Sequence, residues 1–104
     1  MEKSYQINLT NNFKEYISDI YNYIQRDSIY YAVKTKNEIE RRISNLTFSP
    51  FMGRRLVDSE NHNIFNLREI FYKSYRIIYG VNSKTIYVRR VLHSARLLFP
   101  NLIN

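Results

Sequence analysis

The feature that most constrains this chain is a run of strand-forming residues at positions 68–96. Residues from Tyr75 to Val81 alternate with the period of two that is typical of a strand with two different faces, so Arg76 should point away from the tyrosines of its own strand. Turn-forming residues follow at 82–84, and the stretch 85–88 is again β-branched and aromatic. The two runs therefore predict an antiparallel β-hairpin.

The end of this hairpin contains a conflict in the alternation. Ile86 and Val88 share one face, which would bring Arg90 into the core, although Val91 fits a core position better. One extra residue in the strand, a β-bulge at Arg89-Arg90, would resolve the conflict and direct Val91 and His93 to the face of Val88. The sequence therefore predicts a bulge at this point.

The first half of the chain predicts a short strand followed by two amphipathic helices. Residues 5–9 alternate, and Thr10 or Asn11 can cap a helix whose apolar positions recur at spacings of three and four: Phe13, Ile17, Ile20 and Ile24. Ser28 can cap a second helix with an apolar stripe of Ile29, Ala32, Val33, Ile39, Ile43 and Leu46. Tyr30 and Tyr31 are interpreted as packing at the core or its rim. The two helices should form an antiparallel hairpin that covers one face of a sheet.

Between the helices and the hairpin the periodicity stops. Pro50 and Gly53 predict a loop, positions 56–57 a brief extended segment, and residues 65–71 a strand that pairs with the hairpin as a meander. The first strand should join the same sheet because a strand left alone exposes its edges. The expected fold is α+β, in the order β-α-α-β-β-β. A helix hairpin lies on one face of a small, mainly antiparallel sheet, in a single domain over residues 1–104.

Composition limits the classes of protein. The chain has no cysteine, no apolar run long enough for a membrane span and no signal-peptide core, so we expect a cytoplasmic protein that does not associate with a membrane. The formal net charge is +7. Residues 1–53 carry seven Lys or Arg and six Asp or Glu, whereas residues 54–104 carry nine and three. The basic second half should attract polyanions or an acidic protein segment. His62 is interpreted as a solvated loop residue, because neither cysteine nor a second histidine stands at a metal-ligand spacing.

Several motifs together carry a resemblance to a known family. They are Pro50 with Gly53-Arg54, Arg68-Glu69-Ile70, Tyr75-Arg76-Ile77-Ile78-Tyr79, and Val91-Leu92-His93 followed by Arg96. In this order, at this length, the set resembles the RelE/ParE superfamily, the toxins of bacterial type II toxin–antitoxin modules. The resemblance covers nearly the whole chain and implies the same α+β fold.

The resemblance implies growth arrest, known from plasmid-stabilisation systems, by one of two mechanisms. RelE-like members are ribosome-dependent mRNA interferases that cleave messenger RNA without a metal or cofactor. ParE-like members inhibit DNA gyrase and are not known as nucleases. Both kinds are held inactive by an antitoxin, here expected to be acidic and partly disordered. Toxin homodimers and toxin–antitoxin heterotetramers can both be built from this fold.

The resemblance also assigns candidate site residues. In a ribonuclease, Arg76 and His93 would be catalytic. The phosphate- or partner-binding candidates are Arg54, Arg55, Arg68, Arg89, Arg90 and Arg96. An arginine is a poor general base because it stays protonated, so His93 would have to accept the proton. Arg76 could instead form a structural pair with Glu69, and His93 could bond to the backbone at the strand end.

These considerations favour a ParE-like toxin that binds its target without cleaving RNA. The ending Val91 to Arg96 is similar to ParE-type members, and few lysines or histidines surround the site. The alternatives are a RelE-like ribonuclease and, in a different class, a basic nucleic-acid-binding module without toxicity. The apolar segment 97–103 should fold onto the sheet or present a docking surface.

Overall fold

The computed structural model describes residues 4–56 and 67–93. Its elements are β1 (Gln6–Leu9), α1 (Asn11–Gln25), α2 (Ile29–Asn45), β2 (Arg54–Arg55), β3 (Arg68–Tyr72), β4 (Tyr75–Asn82) and β5 (Thr85–His93). The α+β fold with a helix hairpin against a sheet is confirmed. The candidates Arg96 and His62, together with the apolar segment 97–103, lie outside the described residues.

The five described strands form one sheet in the order β1-β5-β4-β3-β2. The meander of β3, β4 and β5 is antiparallel, as the alternation predicted, whereas β1 pairs with β5 in parallel. The strand β2 comprises Arg54 and Arg55, just before the extended segment expected at 56–57, of which position 57 lies outside the described residues. The pairing of β1 with β5 and that of β2 with β3 both lie at edges of the sheet, where alternation along a strand carries no information about its neighbour.

The predicted bulge on β5 is present. Ile78 lies opposite Arg90 and Tyr79 lies opposite Val88, so Arg89 is the extra residue. Beyond it Val91 lies opposite Ile77, and both are buried in the core. The bulge therefore restores an apolar residue to the helix-facing side of β5.

Both helices begin where hydroxyl caps were expected. The Thr10 hydroxyl accepts a hydrogen bond from the Phe13 amide, and the Ser28 hydroxyl accepts one from the Tyr31 amide. The caps satisfy amide groups that have no partner within the helix. Thr10 also donates from Oγ1 to the Val88 carbonyl at 3.0 Å, which ties the start of α1 to β5.

The core lies between the helix hairpin and one face of the sheet, here called the helix-facing side. Its buried members are Phe13, Ile17, Ile39, Ile43, Leu46, Tyr72, Ile77, Tyr79, Ile86, Val88 and Val91. The apolar stripe of α2 is narrower than the sequence indicated, because Ile29, Tyr30, Tyr31 and Val33 are exposed. The interpretation of the two tyrosines as core or rim packing was therefore wrong. None of the described helices is long and apolar enough to cross a membrane.

Candidate functional site

The chemistry of the second face of the sheet centres on a buried carboxylate. Glu69 in β3 is 1% exposed and is the only buried charged residue among those described. It lies opposite Arg54 of β2 and Ile78 of β4. Alternation along β4 brings Arg76 to the same face.

Two arginines neutralise this carboxylate. Arg54 donates from Nε and Nη2 to Glu69 Oε2, at 3.1 and 2.5 Å. Arg76 donates from Nε and Nη2 to Oε1, at 2.8 and 2.5 Å. The structural pair between Arg76 and Glu69 is thus confirmed, and Arg54 is a second partner that was not expected. We call these three residues the Glu69 triad.

The triad changes what Arg76 can do chemically. The Nε–Nη2 edge of a guanidinium is one of the edges that clamps a phosphate with two parallel hydrogen bonds. In both arginines this edge is engaged by Glu69. The side chain of Arg76 is 24% exposed and that of Arg54 is 71% exposed, so only Arg54 projects well into solvent. The arrangement is suited to holding β2, β3 and β4 together and leaves one net positive charge.

The structure does not bring Arg76 and His93 together. In the register of β4 and β5, Tyr75 lies opposite His93 and Arg76 lies opposite Leu92. Adjacent side chains on a strand point to opposite faces, so His93 lies on the helix-facing side and Arg76 on the second face. The rings of His93 and Tyr75 are perpendicular to each other, with their centroids 5.1 Å apart. A single scissile phosphate would have to reach both faces of the sheet in order to contact both side chains.

The other candidate arginines are spread over the molecule. Arg68 Nη1 donates to the carbonyls of Phe51 and Gly53, at 3.2 and 2.8 Å. Arg90 Nη2 donates to the Tyr16 hydroxyl on α1 at 3.2 Å. They do not line a single phosphate-binding cleft with the Glu69 triad, because Arg68 lies on the helix-facing side of β3 and the Arg90 guanidinium contacts α1.

The two remaining described candidates differ in position. Arg55 is exposed on the edge strand β2, and Arg89 is the half-buried bulge residue of β5. In residues 4–56 and 67–93, no three histidines or carboxylates lie close enough to hold a metal ion.

A second buried group, Tyr79, holds the loop that precedes β2. Its hydroxyl donates to the Pro50 carbonyl at 2.8 Å and accepts from the Gly53 amide at 2.9 Å. Burial raises the pKa of Tyr79 above its ordinary value, although the Gly53 amide and the nearby Arg68 charge act in the opposite direction. The sequence contained a signal for this contact, since Pro50 and Gly53 mark a tight loop, but nothing in it identified the tyrosine.

Comparison with solved structures shows that this architecture is a known fold. The chain resembles a structure of the chromosomal ParDE toxin–antitoxin system of P. aeruginosa with a TM-score of 0.69 and 17% identity, over 86% of this chain and 95% of that one. It also resembles a chain of the RelBE2 toxin–antitoxin complex of Mycobacterium tuberculosis, with a TM-score of 0.58 and 17% identity, over 92% and 98% of the two chains. At these identities the likeness establishes the fold.

A family model narrows the class further. The model for the ParE toxin of the type II toxin–antitoxin system parDE matches residues 7–98. No curated protein sequence matches the chain. Because the family model covers most of its length, the chain belongs to the ParE toxin family, and the superfamily predicted from its motifs is confirmed.

Proposed function

We propose that this ParE-family toxin arrests growth by binding and inhibiting DNA gyrase and does not cleave RNA. The observation that carries the proposal is the separation of Arg76 and His93 onto opposite faces of the sheet. Metal-free RNA cleavage needs a base and a cation at the same phosphate. Among residues 4–56 and 67–93 the one histidine, His93, lies on one face, and Arg76, already engaged by Glu69, lies on the other.

The basic second half of the chain supports an antitoxin partner. Chains of the same fold come from the chromosomal ParDE toxin–antitoxin system and from the RelBE2 toxin–antitoxin complex. Six of the seven excess charges of this chain fall in residues 54–104, so an acidic, partly disordered antitoxin segment would be attracted there. A toxin–antitoxin assembly in the cytoplasm, with either one or two toxin chains, fits this proposal.

The experiment is induced expression of the wild type and of His93→Ala in a bacterial host. We expect growth arrest with intact messenger RNA and an induced DNA-damage response, unchanged by the substitution. In parallel, the purified wild type should inhibit the supercoiling of relaxed plasmid by DNA gyrase. His93→Ala is preferred to Arg76→Ala because the loss of Arg76 would also disturb the buried Glu69.

The opposite result would establish the RelE-like mechanism. Rapid cleavage of translated messages that His93→Ala abolishes would contradict the proposal, as would normal supercoiling in the presence of a large excess of toxin. Harmless expression would contradict both toxin mechanisms and would leave the basic nucleic-acid-binding module as the alternative.

A further inference from the structure

The turn that follows α2 carries three exposed apolar side chains within five positions. Phe48, Phe51 and Met52 are 82%, 54% and 60% exposed. We call these three residues the Phe51 patch. A second group of exposed apolar side chains lies on α2, at Ile29, Tyr30, Tyr31 and Val33, so exposure alone does not single out this turn. What distinguishes the turn is the way its backbone is held and the charges beside it.

The backbone under the patch is held in place by buried hydrogen bonds. The hydroxyl of Tyr79, which is itself 0% exposed, joins Pro50 to Gly53 across the turn. Arg68 donates to the carbonyls of Phe51 and Gly53. The patch is thus displayed on a fixed turn, and a partner would lose little conformational entropy in ordering it.

Arginines lie beside two members of the patch, Met52 and Phe51. Arg41 and Arg42 line a cavity of about 200 Å³ together with Met52. The Arg68 guanidinium lies 5.2 Å from the centroid of the Phe51 ring. An apolar centre of aromatic and methionine side chains with arginine at the rim has the composition that is enriched in protein–protein interfaces.

The same contacts favour a protein over a nucleic acid as the partner. The Phe51 ring already has the Arg68 guanidinium over it, and it lies at a T-shaped angle to the Tyr5 ring with the centroids 6.3 Å apart, so this ring is already engaged within the chain. The rim arginines also have internal partners: Arg41 pairs with Glu38, and Arg42 donates to the Phe71 carbonyl. Their remaining field suits carboxylates at the edge of a protein interface better than a run of phosphates.

We propose that the Phe51 patch is the surface through which the toxin contacts its target protein, at an apolar site with carboxylates on its rim. This inference rests on the proposed function, since it requires a protein target. A small, rigid patch fits a folded partner, whereas a partly disordered antitoxin would wrap a larger and more extended surface.

The test compares two double variants of the full chain. Phe48→Ser with Met52→Ser removes two patch side chains and leaves Phe51, which contacts Arg68, in place. The matched control, Ile29→Ser with Val33→Ser, removes two exposed apolar side chains from α2, 64% and 41% exposed. Isoleucine, valine and serine have similar helix propensities, so the control should fold normally.

Growth arrest on graded induction is the first measurement, because it does not depend on which protein is the target. Inhibition of purified DNA gyrase is the second. For the patch variant we expect the concentration of toxin needed for either effect to rise roughly tenfold or more, as for the loss of central interface side chains. The control variant should match the wild type, and both variants should retain the thermal stability of the wild type and bind the cognate antitoxin.

The remaining outcomes overturn the inference in distinguishable ways. Undiminished arrest by the patch variant would show that the patch does not contact the target. If the patch variant also fails to bind the antitoxin, the surface belongs to the antitoxin interface. If the wild type cleaves messenger RNA and the patch variant does not, the patch would be assigned to RNA binding. If the wild type arrests growth without affecting gyrase, the gyrase proposal fails while the comparison of arrest still decides the role of the patch. A harmless wild type overturns both.

Discussion

The Glu69 triad allows the cost of one substitution to be worked out from the structure. Glu69→Gln keeps the shape of the side chain but removes the charge that two arginines share at one buried site. Leaving a buried charge without its partner typically costs about 3–5 kcal/mol of stability. Arg54 is 71% exposed and can turn towards water, so its share of the cost should be small, below about 1 kcal/mol. Arg76 is 24% exposed and bears most of it. We therefore expect a loss of about 3 kcal/mol.

Urea denaturation of the purified chain, followed by far-UV circular dichroism, measures this loss. Arg54→Gln is the matched control and should cost less than about 1 kcal/mol, because Arg76 still neutralises the carboxylate. For a domain of this size a loss of 3 kcal/mol corresponds to a fall in Tm on the order of 10–20 °C. A Glu69→Gln variant within about 0.5 kcal/mol of the wild type would refute the reasoning, as would an equal effect of the two substitutions.

Three further predictions concern Tyr79, which holds the loop before β2, Gly53 in that loop, and the two helix caps. Tyr79→Phe should cost about 1–3 kcal/mol in chemical denaturation, because the Pro50 carbonyl and the Gly53 amide lose a buried partner. The pKa of Tyr79 is raised in the folded protein, so the unfolded chain loses this proton first as pH rises above about 10 and stability falls there; the variant should lose less stability over that range, and an identical alkaline profile would contradict the assignment. Gly53→Ala should cost about 1–3 kcal/mol, since its Cβ would lie 2.6 Å from the Tyr79 hydroxyl oxygen, and wild-type stability would show that the turn can shift. Thr10→Ala should destabilise the chain more than Ser28→Ala, by about 2 against about 1 kcal/mol, because Thr10 also bonds β5; thermal melts compare the two, and a reversed order would contradict this role.

The parts of the fold that were predictable depend on short-range chemistry. Thr10 and Ser28 were identifiable as caps because each capping hydroxyl bonds an amide only three positions further along the chain. The bulge at Arg89 was identifiable because a conflict between Arg90 and Val91 appears within the alternation of one strand. In both cases the deciding partners are near in sequence or on one element.

The parts that could not be predicted depend on partners that are distant in sequence. The pairing of Glu69 with Arg76 followed from adjacent strands, but the contribution of Arg54 requires that β2 add to the sheet beside β3. The sequence also gave no reason to separate buried from exposed members of the apolar stripe on α2, so Ile29 and Val33 were placed in the core. How far the sheet extends under a helix decides this, and that extent is a property of the assembled fold.

The parallel pairing of β1 with β5 has a consequence for how the protein is made. Thr10 and Val88, 78 positions apart, are bonded to each other at this junction. Contacts of such high sequence separation form late and slow folding. Translation proceeds from the amino terminus, so β1 and the start of α1 are synthesised before β5. Their junction with β5 cannot form until β5 has also been synthesised and has left the exit tunnel. A nascent chain without β5 therefore cannot complete the sheet or adopt the folded form of the toxin.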